Sequence, residues 1–76
     1  MKRQYFVAIE SNALWGKGRT KSAAMKNARV NLRKSYPWEA HDHTITVHST
    51  DKISFNRMFM GIEDYVLENG SVTLCA

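Results

Sequence analysis

The order of apolar and polar side chains divides this chain into strands and helices. Residues 4–10, Gln-Tyr-Phe-Val-Ala-Ile-Glu, are apolar on both parities: Tyr5, Val7 and Ile9 project one way, Phe6 and Ala8 the other. That pattern predicts a central strand, covered at least partly on each side. Ser11-Asn12 suits a two-residue turn, and Ala13-Leu14-Trp15 reads as a short returning strand. Gly16 and Gly18 predict its end or a kink, because glycine is weak in strands and free at positive φ.

From Lys21 the period lengthens. Met25, Ala28, Leu32 and Tyr36 recur at helical spacing with Ala24 beside them, which predicts a helix from Lys21 to about Tyr36 with that stripe buried. Thr20 is the predicted N-cap, its hydroxyl placed to accept from the backbone N–H of Ser22 or Ala23. Ala23 leaves the capping box incomplete. Pro37 fixes the exit, since the residue before proline avoids the α region.

Residues 44–50, Thr-Ile-Thr-Val-His-Ser-Thr, alternate cleanly, with Ile45 and Val47 inward and Thr44, Thr46 and His48 toward water. The stretch 51–68 admits two readings. Phe55, Met58, Phe59, Ile62 and Val66 fall at helical spacing behind Asp51 or Ser54 as caps, which favours a helix over about 54–67 with Gly70 beyond its end. Gly61 opposes that helix by about 1 kcal/mol relative to alanine. The rival makes Ile53–Phe59 a strand and joins Tyr65-Val66-Leu67-Glu68 to Ser71-Val72-Thr73-Leu74 as a hairpin through Asn69-Gly70. Both readings place a strand at 71–75. With the helix preferred, the order is β-β-α-β-α-β. That is a small α+β fold, one domain over 1–76, with an antiparallel-rich sheet and both helices packed on one face.

Size and charge narrow the function. Seventy-six residues bury only a small core. The apolar runs fall well short of the ~18 residues of a membrane helix, and the N-terminus lacks the apolar region of a signal peptide. Membrane partners are therefore not expected, and the chain reads as a complete cytoplasmic protein beginning at its own methionine. One cysteine, Cys75, excludes an internal disulfide, in keeping with a reducing compartment, and suits a small apolar position in the last strand. The net charge of +4 is unevenly spread. Residues 1–38 carry nine basic side chains against one acid (Glu10), a balance of +8; residues 39–76 carry two against six, −4. An oriented field of this kind calls for an acidic partner, nucleic acid or an acidic protein surface.

The basic residues concentrate between Trp15 and Trp38, where no acid occurs. Lys26, Arg29 and Arg33 share one helix face, flanked by Lys21 and Lys34, and like charges at that spacing repel. A helix that keeps them without neutralising acids points to use in contact. Gly16-Lys17-Gly18-Arg19-Thr20 lacks the spacing of a P-loop or a dinucleotide fingerprint. It does lead into a helix N-terminus, where Lys17, Arg19 and Lys21 favour phosphate or carboxylate. The candidate partner-binding set is Lys17, Arg19, Lys21, Lys26, Arg29, Arg33 and Lys34, with Tyr36 and Trp38 as aromatic anchors. Trp15 and Tyr36 also suit the core; Trp38, beside Pro37 in a polar segment, is the exposed anchor.

Catalytic and metal chemistry find little support. Cys75 and the histidines show no activating arrangement. Glu39, His41, Asp42, His43, His48 and Cys75 could supply ligands but lack the repeated Cys/His spacing of structural zinc sites. No cofactor and no metal are assigned, and the chain is not expected to be an enzyme.

Two resemblances follow. Thr20-Lys21-Ser22-Ala23-Ala24-Met25-Lys26-Asn27-Ala28, entered from a strand through Gly18, is similar to the strand-turn-helix of HicB-type antitoxin domains, over about a quarter of the chain. Lys21, Ser22 and Lys26 stand where that family carries acids. In size, mixed α/β order and absent catalysis, the whole chain resembles the very small inhibitor proteins of phages and mobile elements, anti-CRISPR proteins among them. That resemblance implies a non-enzymatic inhibitor or regulator, in the host cytoplasm if phage-encoded, that blocks a host nucleic-acid-handling complex. Together with the basic face it predicts binding to the acidic surface of such a complex. The alternative is direct contact with DNA or RNA phosphates by the same face; the oligomeric state is left open.

Overall fold

The computed structural model describes residues 4–37, 44–59 and 61–75. Five strands and two helices follow in the order β1 (Tyr5–Glu10), β2 (Ala13–Gly18), α1 (Lys21–Ser35), β3 (Thr46–Thr50), α2 (Lys52–Arg57), β4 (Tyr65–Glu68) and β5 (Ser71–Leu74). They form one small α+β domain around a single sheet of order β2-β1-β3-β5-β4. Of the four strand pairings among the described residues, only β3–β5 is parallel.

β1 is the inner strand its two-sided pattern predicts, paired with β2 on one side and β3 on the other. The turn at Ser11 and Asn12 places both residues at positive φ (50° and 65°), as the favoured two-residue hairpins require. Phe6 and Ala8 pack under Ala24 and Ala28 of α1, with Trp15, Ile45 and Val47 beside them. Val7 and Ile9 face the other way, into a cluster with Leu14, Met58 and Val72. On that side Phe55 of α2 sets its ring 4.9 Å from Tyr5. The helices therefore lie on opposite faces of the sheet rather than together on one. The reason is β1 itself, which offers apolar side chains in both directions and needs a cover for each.

The glycines after Trp15 do not end the strand. β2 continues to Gly18, and a bulge opposite Ala8 and Ile9 lets Trp15 and Gly16 both turn toward α1. A Cβ at Gly16 would stand 2.4 Å from the Ala28 nitrogen, and one at Gly18 2.6 Å from the Ala24 nitrogen. Both glycines are absent side chains that let the helix backbone settle onto the strand.

The helix expected over 54–67 is replaced by a shorter helix and a hairpin. α2 is capped by Asp51, whose carboxylate accepts from the Ser54 N–H at 2.7 Å, and it ends at Arg57 with Met58 as its C-cap. The next segment pairs with β2: the Leu14 N–H donates to the Ile62 carbonyl and the Gly61 N–H to the Leu14 carbonyl, each at 2.8 Å. Gly61 has φ 84°, and Asn69 and Gly70 turn the β4–β5 hairpin at φ 52° and 76°. Backbone pairing with a distant strand outweighs the helical period of Phe59, Ile62 and Val66. The result is the fifth strand and the order β-β-α-β-α-β-β.

Candidate functional site

α1 is built to hold one side against the sheet and leave the other to solvent. The Thr20 hydroxyl accepts from the Ala23 N–H at 3.0 Å and starts the helix. Ala24, Ala28 and Leu32 are fully buried, and Met25 and Tyr36 are half-buried at the margin of that stripe. At its other end the Tyr36 N–H donates to the Leu32 carbonyl at 2.8 Å.

One flank of α1 is committed to the edge of β2. Asn31 donates to the Trp15 carbonyl at 2.7 Å, and Asn27 accepts from the Lys17 N–H at 3.0 Å. The opposite and outer sides carry Lys26, Arg29 and Arg33, all exposed, with exposed Lys34 beside them. The helix contains no acid, and among the described residues no acid is ion-paired with these four cations. Arg33 and Lys34 in the last turn gain from the negative helix end, whereas Lys26 and Arg29 have no such compensation.

The other cations of the sequence-derived set are placed elsewhere. Lys21, exposed at the first helical position, lies roughly 140° around the axis from Lys26. Lys17 projects toward α2: its Nζ donates to the Phe55 carbonyl at 2.9 Å and stands 4.8 Å from the centre of the Phe55 ring. Arg19 donates from Nε to the Gln4 carbonyl at 3.0 Å and packs over the Tyr5 ring at 4.7 Å. Arg19, Tyr5, Phe55 and Lys17 follow one another as a row of cation–ring, ring–ring and ring–cation contacts on the α2 side of the sheet, the two rings tilted by 53°. The charged ends of Lys17 and Arg19 are thus turned to the α2 side, although Lys17 also lines a depression with Lys26 of α1. Tyr36 sets its ring 5.6 Å from Trp15, edge to face. Trp38, Glu39, His41, Asp42 and His43 lie outside the described residues. His48 Nε2 is 3.0 Å from Thr46 Oγ1, and Cys75 is exposed just beyond β5 rather than packed within it.

Sequence reasoning missed Val30. It is 42% exposed, four residues after Lys26 and three before Arg33, and lines a shallow depression with Lys17, Ala23, Lys26 and Asn27. Its signal was available: an apolar side chain out of register with the buried stripe, among cations. Ile53 and Phe59, each 70% exposed, lie at α2 and just after it.

No protein-family model matches the chain, and neither a curated protein nor a solved structure matches it. Among the described residues, no helix is long and apolar enough to cross a membrane.

Proposed function

We propose that this protein is a non-enzymatic inhibitor or regulator, working in the cytoplasm, that occupies an acidic surface on a nucleic-acid-handling protein complex with the outer face of α1. One observation carries the reading: Lys26, Arg29, Arg33 and Lys34 stand exposed on a helix without acids, and no described acid pairs with them. Retained self-repulsion is relieved when an acidic surface docks, and that gain steers and orients association. Val30 supports a protein partner over bare phosphates, because an apolar side chain among cations gains only from an apolar counterpart. Lys17 and Arg19 are spent on internal contacts, so the cationic track is short and suits a compact acidic patch.

The test measures duplex and single-strand binding at near-physiological salt, and complex capture from host extract, for the parent and for Arg29→Glu/Arg33→Glu. Capture of a nucleic-acid-handling complex that the reversal abolishes, with no nucleic-acid binding by the free protein, is the expected result. Micromolar nucleic-acid binding lost on reversal would replace the protein partner with phosphates and predict a steep salt dependence. Reversals that leave every affinity unchanged would make the face a solvated surface and end both readings.

A further inference from the structure

The two edges of the sheet are treated differently. The edge of β2 is closed by backbone pairing of Leu14 with Gly61 and Ile62, and by the side chains of Asn31 and Asn27. The edge of β4 has no such cover among the described residues. Glu68 pairs with Ser71 across the Asn69-Gly70 turn, and the Cys75 N–H donates to the Asp64 carbonyl. Residues 64, 66 and 68 therefore turn their backbone toward β5, and 65 and 67 turn theirs outward. The Tyr65 N–H folds back to the Glu63 carbonyl at 3.1 Å. Among the described residues, the outward groups left for another strand are the Leu67 N–H and carbonyl and the Tyr65 carbonyl.

The side chains along this edge select what fits it. Alternation puts Asp64, Val66 and Glu68 on one face and Tyr65 and Leu67 on the other. Val66 and Leu67 are 44% and 45% exposed, and Glu63, Asp64 and Glu68 are exposed; Arg57 lines one cavity with Glu63 and Asp64, of which Glu68 is no part. A second copy of β4 would bring its own three acids against these, which is unfavourable across paired strands. A strand with cations four residues apart and an apolar residue midway would match Asp64, Val66 and Glu68 in turn.

We propose that β4 is a docking edge for an extended basic segment of a partner, added to the sheet through Leu67. The mode is strand addition: main-chain bonds hold the segment, and alternate side chains choose it. The surface is separate from α1 and takes a partner of the opposite charge.

The experiment titrates the isotopically labelled protein with a blocked peptide Lys-Thr-Val-Thr-Lys and with Glu-Thr-Val-Thr-Glu, reading amide shifts and hydrogen exchange. The basic peptide is expected to shift Tyr65–Glu68 and slow exchange of the Leu67 amide, with the acidic peptide inert. Leu67→Pro removes the outward donor while sparing the bonds to β5, and should weaken the basic peptide roughly tenfold. Glu68→Lys should weaken it too, and decides the matter if the proline variant fails to fold. No shift at millimolar peptide, equal response to both peptides, or an unchanged affinity in folded Glu68→Lys would overturn the proposal. So would a Leu67 amide already protected in a concentration-dependent way without peptide, which would give the edge to a second copy.

Discussion

The side-chain amide of Asn31 donates to the Trp15 carbonyl at 2.7 Å, across the edge of the sheet. One turn earlier, Asn27 accepts from the Lys17 N–H at 3.0 Å, and the two asparagines lie 3.4 Å apart between Nδ2 and Oδ1. A helix side chain has taken the place of a neighbouring strand, once as donor and once as acceptor. Asparagine can serve both roles because its amide carries both groups. Replacing Asn31 by alanine leaves a part-buried carbonyl unpaired and should cost about 1–2 kcal/mol in urea unfolding. Asn31→Asp should cost more, since a carboxylate cannot donate to a carbonyl.

Gly16 should tolerate no side chain. The atoms a Cβ would meet are the Ala28 nitrogen at 2.4 Å and the Ala24 oxygen at 2.6 Å, both helix backbone. Gly16→Ala should then cost about 3 kcal/mol or abolish folding, because backbone cannot rotate aside as a side chain can. Gly70→Ala faces open space and is strained only by its φ of 76°, so about 1 kcal/mol is expected. Thermal unfolding of the two variants separates overpacking from backbone strain.

Ser54 joins α2, with its cap, to β5. Its N–H and hydroxyl both donate to Asp51, at 2.7 and 2.9 Å, and its oxygen accepts from the Leu74 N–H at 3.0 Å. Ser54→Ala should destabilise by about 1–2 kcal/mol, since a strand N–H loses its partner in a part-buried place. Asp51→Ala loses the cap and the bond from the Ser54 hydroxyl but keeps the Leu74 N–H paired, and should cost about 1–2 kcal/mol.

Asp51 also sets a pH dependence. The Ser54 backbone N–H, helped by the Ser54 hydroxyl, holds its carboxyl below the usual value of 3.8. A depressed folded pKa gives stability that is fully present above the unfolded value and lost as pH falls through the folded one. The loss belongs below about pH 4. Asp51→Asn, which cannot titrate, should flatten that part of the stability profile and leave neutral pH without a slope from this site.

Lys17 and Arg29 should separate in their effects. Lys17→Met removes the bond to the Phe55 carbonyl and the charge over its ring, costing about 1 kcal/mol of stability. It should leave partner capture intact. Arg29→Glu/Arg33→Glu should abolish capture while costing about 1 kcal/mol of stability, since Arg33 gives up its favourable place at the negative helix end. Unfolding and capture measured on the same preparations check both halves.

Local chemistry made several elements legible in the sequence. Thr20 caps α1, Ser11-Asn12 turns the first hairpin, and the apolar residues on both sides of β1 marked an inner strand. The cations of α1 were legible as a face because helical spacing alone groups Lys26, Arg29 and Arg33. Lys17 and Arg19 were not separable from them, since the contacts that turn them away come from Phe55, 38 residues later than Lys17, and from Tyr5 in β1 and Gln4 just before it. For 51–68 the Asn69-Gly70 hairpin signal competed with a helical period, and nothing nearby in sequence could weigh one against the other.

What the sequence determined by itself is whatever a few neighbouring residues settle: caps, turns, the period of a buried stripe, the charge along one helix. Tertiary structure alone decided which face each helix covers, why Gly16 and Gly18 must be glycine, and that Leu14 draws Gly61 and Ile62 out of a helix. Those outcomes rest on backbone groups and atoms brought together from distant positions, where a hydrogen bond or a 2.4 Å clash outweighs local preference.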